Sequence, residues 1–157
     1  MSDDIRRENT CCFTGHRPEK LLSTEEKIRQ SLAEEIENAI ASGYTSFVSG
    51  MARGVDLWAA EIVLSLRSIH PELKLICAFP CQKGHVNRQA QLILEQADQV
   101  VFISERYDPG CFQRRNEWMI DHSSRIIAIY NGEKGGTKNT IDYARKKGVD
   151  IYYTEFS

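Results

Sequence analysis

Three short stretches of this chain combine glycine with residues suited to holding an anion. Thr14-Gly15-His16-Arg17-Pro18 offers a hydroxyl, a bare backbone position and a planar guanidinium. Such a fork matches phosphate or carboxylate oxygens two at a time, and glycine lets backbone approach a ligand closely. Ser49-Gly50-Met51-Ala52-Arg53-Gly54-Val55-Asp56 repeats the theme with a carboxylate added. It is neither a P-loop nor a dinucleotide fingerprint: the GK[ST] ending is missing and only a Gly50-x-x-x-Gly54 pair is present. Gly132-Glu133-Lys134-Gly135-Gly136-Thr137 is the third. Thr137 there reads either as a helix N-cap or as a donor to a phosphate oxygen. Arg114-Arg115-Asn116 add two cations and an amide, near Tyr107 and Phe112, whose rings suit stacking on a base. Arg88 is a lesser cationic candidate. Asp56 falls in the first turn of an expected helix, where a carboxylate is stabilising in itself. It also suits a ribose hydroxyl and is the favoured carboxylate for catalysis. His16 is a candidate base, although a lone histidine more often hydrogen-bonds at a surface.

The elements that carry these turns alternate along the chain. Short apolar runs at Cys11–Thr14, Phe47–Val48, Leu73–Phe79, Gln99–Ile103, Ile126–Tyr130 and Asp150–Tyr153 read as strands, with Pro80 ending the third. Helical spacing lies between them. Ile28, Leu32, Ile36 and Ile40 recur every fourth residue after a Thr24 N-cap, and Gly43 stops that helix. Further helices are expected over Val55–Leu66, Gln89–Ala97, around Asn116–His122 and over Thr137–Lys147, the last closed by Gly148. Trp58, Trp118 and Met119 read as core, although Trp118 and Phe156 also suit a homodimer interface. Strand–helix alternation predicts an α/β fold: an open parallel sheet with helices on both faces, Rossmann-like in kind. Ligands of such sheets bind outside the carboxyl ends of the strands. All three glycine turns fall there.

Composition narrows the class. The 157 residues suit one domain, taken as 1–157 with a flexible N-terminus over 1–9. The net charge of -2 argues against a general nucleic-acid binder, which needs a basic excess. No apolar run approaches the ~18 residues of a membrane span, and the polar start lacks the apolar stretch of a signal peptide. A cytoplasmic protein without a membrane partner is the expectation. The five cysteines form no CxxC pair. Cys77, Cys81 and His85 are spaced by four, but Cys77 lies in an apolar strand, where cysteine behaves as a small hydrophobe. No metal site is expected.

The turn Thr14–Pro18, the stretch Ser49–Asp56, Arg115-Asn116 with Met119, and Gly135-Gly136-Thr137 together resemble the YpsA-like branch of the SLOG superfamily. That superfamily also holds the Lonely Guy phosphoribohydrolases and the DNA-processing protein DprA. The resemblance runs from about Cys11 to Tyr153 and implies a Rossmann-like domain binding a nucleotide or nucleotide-derived ligand, such as an adenine nucleotide, NAD or ADP-ribose. It places Thr14, Gly15, Arg17, Ser49, Gly50, Gly54, Asp56, Arg115, Asn116, Gly135, Gly136 and Thr137 around that ligand, with no cofactor beyond a bound nucleotide. Lonely Guy enzymes carry a glutamate three residues after the Gly-Thr pair. Thr140 stands there in this chain, and a hydroxyl cannot do a carboxylate's work. Glu117, Glu133 and Asp56 are the carboxylates left to substitute. The expected role is therefore a sensor or sequestering module. An N-glycosidase-type enzyme and a DprA-like DNA-associated protein are the alternatives.

Overall fold

The computed structural model describes residues 5–21, 23–82 and 86–154. Six strands and five helices alternate: β1 (Thr10–Gly15), α1 (Glu25–Ala41), β2 (Ser46–Ser49), α2 (Val55–Leu66), β3 (Lys74–Cys81), α3 (Arg88–Leu94), β4 (Gln99–Ser104), α4 (Cys111–Asp121), β5 (Arg125–Ile129), α5 (Gly136–Lys147) and β6 (Asp150–Tyr153). Every strand pair is parallel, and the sheet order is β4-β3-β2-β1-β5-β6. Parallel neighbours need a crossover, and a helix supplies each one. This is the α/β, Rossmann-like architecture expected from the alternation.

The side-chain period of two assigns residues to the two faces. Cys11 and Phe13 point to the face covered by α1 to α3, where Phe47, Leu75, Ile28, Leu32 and Val63 join them. Cys12 points to the opposite face, with Val48, Ile76 and Ile126 under Met119, Ile120 and Ala144 from α4 and α5. Burial on both faces explains why the central strands read as unbroken apolar runs.

Local signals act as their chemistry requires. The Thr24 hydroxyl accepts from the Lys27 N–H at 3.2 Å and caps α1. Gly43, at φ 99°, lets the chain leave that helix. Trp58 and Met119 are buried, whereas Trp118 is half-buried and stacks on His122 at 4.1 Å.

Two expectations are corrected. β3 does not end at Pro80 but runs on to Cys81, paired with Ser104. The Lys74 N–H donates to Thr45 in the approach to β2, and the Leu75 carbonyl accepts from Asp98 on the β4 side. Even-numbered residues of β3 therefore face β2, which has ended at the Ser49–Cys77 pair. Pro80 lacks an N–H where no neighbouring strand asks for one. α4 begins at Cys111, not near Asn116, because Gly110 serves as N-cap directly after the Asp108 turn. Arg6 and Asn9 hold the approach to β1: Thr10 Oγ1 donates to Arg6 O at 2.6 Å and Thr45 N to Asn9 O at 3.0 Å.

Cys11, Cys12, Cys77 and Cys111 are buried and unbridged. Burial pushes the Cys12 and Cys77 thiols up to about 12. His85, third in the Cys77–Cys81 spacing, lies outside the described residues, as does Phe156. Among the described residues no helix is long and apolar enough to cross a membrane, and no group of three or more metal-ligating side chains occurs.

Candidate functional site

β1 and β5 are neighbours whose chains leave toward opposite faces, so a crevice opens at their carboxyl ends. A cavity of about 320 Å³ occupies it. Thr14, Gly15, Arg17, Asp56, Arg115, Asn116, Gly135, Gly136 and Thr137 line it, drawn from three turns and from α4. Gly50 lines an adjoining cavity, while Ser49 and Gly54 line neither.

The residues outside the cavity hold its wall. Ser49 is fully buried; its hydroxyl donates to Asp56 O at 2.8 Å and accepts from Met51 N at 3.1 Å. Gly54 adopts φ 96°, and a Cβ there would lie 2.7 Å from Pro18 Cδ. Gly15 has the same role from the other side, since its Cβ would lie 2.6 Å from Val55 Cγ2. The first two turns are thus pressed together, and any side chain at either glycine would part them. Between them Met51 sits at φ 62°, a left-handed conformation costly for an unbranched side chain and most often retained at functional sites.

Two opposite charges lie under the β2–α2 turn. Arg115, 6% exposed, donates from Nη1 to Gly50 O and Ala78 O and from Nε to Asn116 Oδ1 at 2.8 Å. Asp56, 9% exposed, accepts from Ala52 N at 3.2 Å. Both crowd the bare α-carbon of Gly50, whose Cβ would meet Asp56 Oδ2 at 2.9 Å and Arg115 Cζ at 3.1 Å. Burial pushes the Asp56 carboxyl up to about 6, against the pull of Arg115 and of the Ala52 N–H. Burial likewise lowers the Arg115 guanidinium, with Asp56 opposing it.

The third turn supplies a helix start. Gly135, at φ 140°, is the N-cap of α5 and offers no side-chain cap. Thr137 is therefore not the cap expected of it but the second residue of the helix, buried at the cavity wall. Free N–H groups and the helix dipole favour an anion at such a start. Thr140 spends its hydroxyl on Gly136 O at 2.8 Å and does not face the cavity.

Sequence reasoning undervalued two residues here. Lys20 and Lys134 line the cavity, so five cations (with Arg17, Arg53 and Arg115) face one lining carboxylate, Asp56. Their positions beside the first and third turns were the available signal. Arg53 forks onto Glu19 at 2.9 and 2.8 Å, and Lys20 lies 3.9 Å from Glu133. The side chains of Arg17 and Lys134 make no hydrogen bond or ion pair among the described residues, although the Arg17 charge helps the Arg53 fork to lower the Glu19 carboxyl. His16 is buried rather than at the surface, stacked on Tyr130 at 5.5 Å, and desolvation lowers its imidazole pKa. Arg114 turns away to Asp108 and Ser104, and Arg88 lines neither cavity.

The adjoining cavity measures about 540 Å³ and shares Arg17, Ala52, Arg53, Phe112 and Arg115 with the first. The two meet along those residues as lobes of one cleft.

The model of the YpsA family, described as the YspA SLOG family, matches residues 11–155. An uncharacterised SPbeta prophage-derived protein of Bacillus subtilis, YoqJ, is 32% identical over 76% of this chain and 81% of its own. A UPF0398 protein of Bacillus cereus is 31% identical over 82% of this chain and 76% of its own. Among solved structures, DprA from Streptococcus pneumoniae superposes with TM-score 0.69 at 18% identity, over 92% of this chain and 49% of that one. DprA from Helicobacter pylori, solved for its single-stranded DNA binding mode, gives 0.65 at 19% identity over 92% and 64%. This chain thus spans about half to two thirds of the DprA chains, and at these identities the likeness is one of fold.

Proposed function

The chain belongs to the YspA SLOG family, and we propose that it binds a phosphate-bearing nucleotide ligand between β1 and β5, as a sensor or sequestering module. The observation that carries this reading is the convergence in one cavity of Arg17 and Lys134, whose side chains form no ion pair among the described residues, with the start of α5, which has no side-chain cap. Phosphate oxygens meet the Gly135–Gly136 backbone and the two cations, with Thr137 beside them. Asn116 and Asp56 stand where a ribose hydroxyl finds a partner. The test is calorimetric titration and thermal unfolding with AMP and ADP-ribose. Ligand at one hundred times Kd stabilises the fold by about 2.7 kcal/mol, and Lys134→Glu removes that gain. No shift with either nucleotide ends the reading.

A second reading is single-stranded nucleic acid. Tyr107 and Phe112 are exposed beside Arg17 and Arg53 at the cleft, a pairing of rings and cations that suits unstacked bases, and one DprA neighbour is described by such binding. Retention on a dT oligomer that falls steeply with salt supports it; indifference at low salt removes it. For the enzymatic alternative, a carboxyl near 6 is suited to proton transfer at neutral pH. Release of base from nucleoside monophosphates that survives Asp56→Asn takes Asp56 out of any mechanism.

A further inference from the structure

The two edges of the sheet are finished differently. β6 is four residues long and opens on the charged Asp150. Its two exposed rings are held at their tips: Arg125 donates to the Tyr152 hydroxyl and Arg145 to that of Tyr153, each at 3.1 Å. β4 is six residues long and reads Gln99-Val100-Val101-Phe102-Ile103-Ser104, without a charge, a proline or a glycine. An open strand edge is a template for further pairing, and proteins ordinarily guard it with charge, proline, a bulge or a covering element. β4 has neither charge nor proline to guard it. α3 packs chiefly on α2, and α4 more on β3 than on β4. Val100 and Phe102 are left 40% and 43% exposed. They share one face, since their β3 partners Cys77 and Phe79 both pack toward α1 to α3.

Hydrogen bonding fixes which residues of β4 face outward. The Asp98 N–H donates to Leu75 O at 2.9 Å, and Ser104 O accepts from Gln82 N at 3.2 Å, so even-numbered residues bond to β3. Successive residues alternate, and Gln99, Val101 and Ile103 turn their N–H and C=O groups away from the sheet. We infer that β4 is where two copies of this chain join, edge to edge and antiparallel about a two-fold axis at Val101, merging their sheets into one. A strand meets its own copy as the same patch only in the antiparallel sense. With the axis at Val101 every outward residue is used: Val101 meets its copy, and Gln99 meets Ile103 on either side. Val100 then lies opposite Phe102 twice, an aliphatic–aromatic cross-strand pair that stabilises sheets. The charges at the strand ends agree: Asp98 falls opposite Ser104 and Glu105 opposite Ala97, so no like charges meet. An axis at Gln99 or Ile103 sets Val100 against Asp98 or Arg106 instead, and one at Val100 or Phe102 leaves Ile103 or Gln99 to pair beyond the strand. The row matches itself in hydrogen bonding, apolar contact and charge, which is the argument for a second copy over another partner. It stands independently of the nucleotide reading.

Sedimentation equilibrium of the full chain is expected to give a mass twice that of one chain. Val101→Pro removes an N–H that faces away from β3, as proline on an edge strand allows, and Phe102→Lys sets a charge into the apolar pair. Each is expected to weaken the dimer by roughly tenfold or more, while far-UV circular dichroism stays that of wild type. Should Val101→Pro lose its fold, Phe102→Lys and cross-linking decide. The register is read with the double variant Val100→Cys/Phe102→Cys. Opposite residues outside the hydrogen-bonded pairs stand about 4.5 Å apart at Cα, within reach of a disulfide. Mild oxidation is expected to link two copies of the double variant and to link neither single variant nor wild type. A monomer at every concentration overturns the inference. A dimer that Phe102→Lys leaves intact, or that the double variant fails to link, assigns the contact to another face and overturns it too. Linking of Phe102→Cys alone overturns the axis at Val101.

Discussion

Two arginines are buried to nearly the same degree at opposite edges of the sheet, Arg115 at 6% and Arg125 at 7% exposed. Arg125, at the amino end of β5, lies between two rings: its Cζ is 4.6 Å from the Tyr44 centroid and 3.9 Å from that of Tyr152. Nη2 donates to the Tyr152 hydroxyl at 3.1 Å, and Nε has no hydrogen-bond partner among the described residues. Its charge is accommodated by π-faces and lines none of the cavities described. Arg115 is held instead by backbone carbonyls of two strand ends, beside a carboxylate, with part of its fork on the cleft. Burial alone therefore does not mark an arginine that lines a cavity. The difference lies in what satisfies the charge and in whether an opening reaches it.

Replacing each arginine in turn tests that contrast most severely. Arg115→Ala leaves Asp56 buried without its countercharge and two carbonyls without a donor, so a loss of about 3–5 kcal/mol in urea unfolding is expected, together with loss of ADP-ribose binding. Arg125→Leu is expected to cost about 2 kcal/mol, the worth of a desolvated cation–π contact, and to leave ADP-ribose affinity untouched. Equal effects of the two on binding would erase the distinction drawn between the edges.

Asp56 sharpens the comparison through pH. Its carboxyl is raised to about 6, so the protonated form is favoured in the folded state. The stability tied to that proton is complete below the unfolded value near 4 and is lost as pH rises through 6. Relative to wild type, Asp56→Asn is expected to gain up to about 3 kcal/mol between pH 4 and pH 7. Parallel unfolding curves at the two pH values would rule this out. The smallest effect concerns Arg53, exposed and forked onto Glu19. Arg53→Ala is expected to leave the unfolding midpoint in place and weaken ADP-ribose binding by a few-fold, measured by titration at low salt.

The fold was legible because its signals are local. Thr24, Gly43 and Gly148 mark helix ends by hydrogen bonding or backbone conformation alone, and periodicity marks the rest. The start of α4 was not, since Gly110 and Cys111 carry no capping side chain and follow a turn that reads as loop. The site was legible at its glycine turns, but their roles were not. Whether Gly54 touches a ligand or Pro18 depends on how two distant turns dock. The rings of the larger lobe were legible only in part: Tyr107 and Phe112 stood out as stacking candidates, and Phe79 and Phe102 did not. Phe79 and Phe102 read as ordinary strand residues until the strand order places β4 at an edge and leaves their rings at an opening.

That strand order has a consequence in time. β1 to β4 with α1 to α3 leave the ribosome first, and on one face they already have their cover. On the other face Cys12, Val48, Ile76 and Ala78 wait for Met119, Ile120 and Ala144. A nascent chain that stops before α4 therefore shows a bare apolar sheet, the kind of surface that draws chaperones or aggregates. The cleft is younger still: β5 must travel back to β1 before the smaller lobe exists, so a ligand of the proposed kind would reward only a chain that has reached α5.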